Sequence, residues 1–257
     1  MEYVIICLVA FLTSILTFFS GFGLGTILLP VFAIFFPIEL AVALTGVVHF
    51  FNNIFKLVLV GKNANKKVLL HFGIPAIMAA FLGAYLLISI TDLKPLYIYN
   101  IGDRFFEITI VKLVIAMLLI IFAIIELTPF FNALNFGKKL LPFGGFLSGF
   151  FGGLSGHQGA LRSAFLINAG LTKETFIGTA VVISCFVDFT RLSVYSTRFF
   201  ESGLDENITL IISATLSAII GAVIGNKLLK KVTLKFIQKL IAILLIVVSI
   251  ALGFGLI

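Results

Sequence analysis

Two triplets of polar side chains, 135 residues apart, share one spacing. His49, Asn53 and Lys56 stand at i, i+4 and i+7 within "AVALTGVVHFFNNIFKLVLV", and Ser184, Asp188 and Arg191 repeat it within "TAVVISCFVDFTRLSVY". On a helix each triplet faces one way and sets hydrogen-bonding groups and a cation into an apolar surface. Ser20-Gly21 and Ser155-Gly156 keep the same offset, and both lie in glycine-rich breaks. Glycines let backbone N–H groups face a ligand, and a nearby Lys or Arg adds fixed positive charge. The chemistry this combination suits is the binding of a small anion.

The break "LSGHQGALRSAFL" is the denser of the two. Ser155, His157 and Gln158 supply donors beside Gly156. Arg162 lies one turn into a half-helix whose positive dipole end points at the break. A packing kink with satisfied side chains is the other reading. The break "SGFGLGTILLP" offers Ser20, Gly21 and Gly23 without charge, and its glycines equally suit close helix packing. Lys56 and Arg191 either serve as ligands or snorkel to the interface. Asp188 is placed to pair with Arg191 or to release a proton. His49 is a proton carrier or a satisfied core histidine. Asn52 and Asn53 read as interhelical donors or ligand contacts. Tyr97, Tyr99 and Tyr195 read as interface anchors. No catalytic residues, metal-ligand cluster or nucleotide-binding loop stands out, so no enzyme, no cofactor and no ATP-driven pump is expected.

These groups must be carried by a chain made for lipid. Of 257 residues 61% are hydrophobic and 11% charged, where soluble domains carry about 25% charge. Mean hydropathy is +1.23. The net charge of +7 matches the Lys/Arg excess of membrane-protein loops, and no nucleic-acid partner is expected. The start "MEYVIICLVAF" has no Lys or Arg ahead of its apolar run and reads as the first membrane element. Cys7 and Cys185 lie in apolar runs and read as inert.

Apolar segments fall near 3–18, 24–36, 40–60, 68–90, 108–127, 140–154, 159–170, 174–196, 208–229 and 236–257. Six reach or approach the ~20 residues a span needs. The others form two pairs, 3–18 with 24–36 and 140–154 with 159–170, each divided by a glycine-rich break. If each pair enters and returns, one side holds Lys62, Lys66, Lys67, Lys138, Lys139, Lys173, Lys227, Lys230, Lys231, Lys235 and Lys239. The opposite side holds only Lys94, Arg104, Lys112 and Arg198. That bias places the lysine side in the cytoplasm and both termini outside; two short full crossings per pair would give the same parity. The expected fold is an all-α polytopic membrane protein of two inverted repeats, 1–130 and 131–257. Each repeat is a broken or re-entrant helix pair plus three transmembrane spans. Ala80, Gly83 and Ala84 matching Ala218, Gly221 and Ala222 at offset 138 suit a duplication.

With "FFSGFGLGTILLPVF" in the first half and "GGFLSGFFGGLSGHQGALRSAFLINAGLTKETFIGTA" in the second, nearly the whole chain resembles the TauE/SafE sulfite-exporter family. Leu24 and Thr26 stand where the family's first break has glycines. The resemblance implies a secondary transporter of sulfite, an organosulfonate or a related sulfur-containing or organic anion. Such a carrier would work by alternating access in the inner (cytoplasmic) membrane, with a proton or sodium ion as possible coupling partner and homo-oligomerisation possible. An intramembrane enzyme acting on a lipid and an anion channel are the rival readings.

Overall fold

The computed structural model describes residues 1–17, 23–128, 137–199, 205–228 and 234–257. In the first half α1 (Glu2–Thr17), α2 (Leu24–Phe35) and α3 (Ile38–Val60) are followed by α4 (Lys66–Thr91) and α5 (Ile110–Leu127). In the second, α6 (Leu141–Ser155), α7 (Gly159–Leu166), α8 (Lys173–Phe199), α9 (Ile208–Leu228) and α10 (Leu234–Gly253) follow in the same order. Both expected pairs are short helices, α1 with α2 and α6 with α7. Among the described residues α3, α4, α8 and α9 are long and apolar enough to cross a membrane. α5 has 18 residues and α10 has 20. The chain is an all-α polytopic membrane protein.

Local chemistry sets the helix limits. Asn65 caps α4 by accepting from the N–H of Val68 at 3.1 Å. Pro75 then cannot donate to the carbonyl four residues back, and the helix widens into a π turn over Leu69–Gly73 before resuming. Pro142 starts α6 where a missing N–H costs nothing. A β-hairpin, β1 (Tyr97–Ile101) with β2 (Arg104–Ile108), lies between α4 and α5 and is an addition to the helical chain that was expected. Its turn is Gly102-Asp103, with Gly102 at φ +60°.

Four helix pairings organise the bundle: α1 with α9, α4 with α6, α5 with α10, and α3 with α8. The α4–α6 pair is built on a glycine stripe. A Cβ at Gly145, Gly149 or Gly153 would lie 2.2, 2.0 or 2.1 Å from the carbonyl oxygens of Phe72, Ala76 and Ala80. Only glycine lets the two backbones approach this closely. Gly221 and Gly225 of α9 meet the carbonyls of Phe11 and Ile15 of α1 in the same manner.

Both pairs run parallel. Gly170, just beyond α7, lies against Lys138, just before α6, so α6 and α7 fold back on each other as a helical hairpin. The far end of α2 lines a cavity with Thr91, Glu107 and Ile257 at the opposite end of the bundle. Large apolar side chains such as Val58, Met78, Tyr85, Phe189 and Ile243 stay exposed on the outer faces, as lipid-facing surface requires.

Candidate functional site

The two polar stripes meet where α3 crosses α8. Asp188 is fully buried and collects donors from two helices, α3 and α8, and from the second break. Its Oδ2 lies 2.6 Å from Nδ1 of His49 and accepts from Nδ2 of Asn53 at 3.1 Å. Its Oδ1 accepts from Nε2 of Gln158 at 3.1 Å and from Nε of Arg191 at 3.0 Å, with Nη2 of Arg191 at 2.9 Å. Asn53 and Asp188, the residues equated by the offset of 135, are thus in direct contact.

Gln158 extends the network. Its Oε1 accepts from Nη1 of Arg162 at 3.0 Å, and the same nitrogen donates to Oγ of Ser184. Oγ of Ser148 secures the break by donating to the Gln158 carbonyl at 2.9 Å. Arg162 and Arg191 are 1% and 0% exposed and Lys56 is 7% exposed. Neither stripe cation therefore reaches an outer face, as snorkelling would require.

Glycines shape the slot for Arg191. Gly156 ends α6 at φ +81°, the left-handed region that favours glycine. A Cβ there would fall 2.6 Å from Nη1 of Arg191, and one on Gly46 of α3 would fall 3.3 Å from its Cζ. The guanidinium is held between the two. A Cβ on Gly25, in the first turn of α2, would lie 3.5 Å from the His49 ring and 3.8 Å from the Gly156 carbonyl. The start of α2 and the second break therefore come together beside the stripes.

Several buried polar atoms have no hydrogen-bond partner among the described residues: Nη1 of Arg191, Nε2 of His157 and both amide atoms of Asn52. A buried polar group left unmet costs about 1–3 kcal/mol. His157 is 2% exposed, stacks on Phe122 at 5.1 Å and 17°, and reaches Ser155 O with Nδ1 at 3.1 Å.

Of the expected site residues, His49, Asn53, Gln158, Arg162, Ser184, Asp188 and Arg191 form one bonded network, and Gly156 abuts it. Ser155 returns its hydroxyl to the Phe151 carbonyl at 3.1 Å. Gly23 precedes α2 at φ +115°. Ser20 and Gly21 lie outside the described residues. Tyr195 corrects the sequence reading: it is 3% exposed and donates to the Gly153 carbonyl, so it braces α8 against α6 rather than anchoring an interface. Gly46 was overlooked, although it shares the stripe face three residues before His49.

Such a bundle, with charged side chains held inside an apolar helical body, defines a multi-pass membrane protein. The family model described as "Sulfite exporter TauE/SafE" matches residues 6–252, and the chain belongs to that family. Searches of curated proteins and of solved structures find no match to it.

Proposed function

We propose that this chain is a secondary transporter of a small anion, with sulfur-bearing oxyanions such as sulfite or a short sulfonate as the substrate class. One observation carries the reading. Among the described residues three basic side chains, Lys56, Arg162 and Arg191, are buried, and Asp188 is the one carboxylate buried with them. Buried charge is tolerated when it is compensated, and an incoming anion supplies the balance. Nη1 of Arg191 and Nδ2 of Asn52 are donors that an oxyanion would engage.

In this reading the two inverted repeats, 1–130 and 131–257, cross at Asn53 and Asp188, and access alternates as they rock about that contact. The reciprocal pairings of α1 with α9 and α4 with α6 support it, as does the matched backbone approach at Gly83–Phe150 and Gly221–Phe11. His49, bridging the halves to Asp188, is the group we assign to a coupling proton. The lysine-rich end faces the cytoplasm and both termini lie outside.

Uptake into proteoliposomes tests this, with sulfite, sulfate, thiosulfate and short sulfonates as substrates. At least one sulfur oxyanion is expected to saturate, and Arg191→Ala is expected to abolish its uptake. No saturable uptake of any anion sinks the carrier reading, and turnover far above carrier rates would replace it with a channel.

A further inference from the structure

A cavity of about 500 Å³ lies apart from the buried cluster, where the start of α4, the start of α6 and the turn after α7 meet. Lys67, His71, Lys138 and Lys139 stand around it, and among the described residues no carboxylate lines it. The cavity at the opposite end, of about 410 Å³, differs in sign: there Glu39 and Glu107 accompany Lys112. Val68, Leu141, Ala169 and Leu171 complete the basic cavity and pack in the apolar cluster of α4, α6, α7 and α8. Beside it Leu140 and Ile167 are 45% and 62% exposed.

Its geometry is fixed by local bonds. His71 donates Nδ1–H to the Lys67 carbonyl at 2.8 Å, and Gly170 turns at φ +74° with the Lys138 ammonium beside it. A rim of lysines above an apolar floor suits an amphiphile with an anionic head better than a free ion. We propose that this cavity binds the phosphate group of an anionic phospholipid, whose acyl chains run over Leu140 and Ile167. The site shares no residue with the buried cluster, so it stands or falls separately from the transport reading.

The experiment is native mass spectrometry of the full chain with phosphatidylglycerol, phosphatidylcholine or inorganic phosphate. Phosphatidylglycerol is expected to be retained and phosphatidylcholine not. A lysine at an anionic membrane surface contributes about fivefold to association, so Lys67→Gln, Lys138→Gln and Lys139→Gln together should weaken retention roughly a hundredfold. Lys62→Gln removes the same charge at the same end outside the cavity and should leave retention unchanged. If the triple variant fails to fold, the single changes at Lys67 and Lys139 read the same effect, about fivefold each. Equal retention of the two lipids, or an equal loss in Lys62→Gln and in the cavity variants, overturns the proposal. Lysine-dependent binding of inorganic phosphate without retention of phosphatidylglycerol overturns the lipid assignment.

Discussion

Asp188 and Arg191 sit three residues apart on α8 with no exposed side-chain surface, whereas Arg198 and Asp92 join the ends of α8 and α4 with 42% and 55% of their side chains exposed. The ion pair is the same, but its surroundings are not. Water completes the hydration of the outer pair. Inside, Asp188 takes that completion from His49, Asn53 and Gln158. The buried carboxylate thereby ties α3, the second break and α8 together, and the outer one ties only two helix ends. Burial turns an ordinary pair into the organiser of a site.

The largest effect expected from this contrast is that of Asp188→Asn. Removing one member of a buried pair leaves the others uncompensated and costs roughly 3–5 kcal/mol. A lower melting temperature in detergent and loss of anion uptake are the expected readouts. If this variant melts and transports like Arg198→Ala, Asp188 does not hold the crossing together.

Next comes Gly156→Ala, best read against Gly170→Ala. Both residues are left-handed, at φ +81° and +74°, and a side chain there costs about 1–2 kcal/mol. The Cβ at Gly156 would also strike Nη1 of Arg191 at 2.6 Å, whereas at Gly170 the nearest atom is 3.6 Å away. Both variants should lose stability, but only Gly156→Ala should weaken anion binding, by roughly tenfold if ~1.4 kcal/mol of guanidinium placement is lost. Isothermal titration with the transported anion separates them. Equal affinities would show that the slot does not position Arg191 for a ligand.

Asn52 sharpens the comparison at smaller scale, because its amide is as buried as Asp188 yet meets no partner among the described residues. Asn52→Leu should keep or raise the melting temperature while weakening anion binding, by about 1 kcal/mol. Weaker binding without added stability loss marks a ligand contact; a large fall in melting temperature with unchanged affinity marks a structural amide.

The legible part of this molecule was whatever repeats along one helix. The i, i+4, i+7 stripes, the two broken pairs and their limits follow from hydropathy, glycine and proline, which act locally. The bond from His49 to Asp188 was not legible, because spacing fixes a face but not the register between two helices. For the same reason Tyr195, one turn beyond Arg191, looked like an interface residue until α6 was seen to cover it. The hairpin did carry a signal, Gly102-Asp103 between the alternating runs "YIYNI" and "RFFEI". Two short strands beside long apolar spans were easily read as loop.

The smallest effect belongs to the outer pair. A hydrogen bond from Arg198, followed by the charge of Arg198, holds the Asp92 carboxyl below the usual carboxylate range. A depressed folded-state pKa means that the pair's contribution is complete above the unfolded carboxyl value of about 4. It is lost as pH falls through the lower, folded value. Asp92→Asn should therefore shift the melting temperature slightly at pH 7, and the difference from wild type should close as the pH falls below that range. Screening adds a second check, since the exposed pair should weaken as salt is raised, while the effect of Asp188→Asn should not. A salt-insensitive Asp92→Asn effect would mean that the bond between the ends of α4 and α8 is sheltered from water.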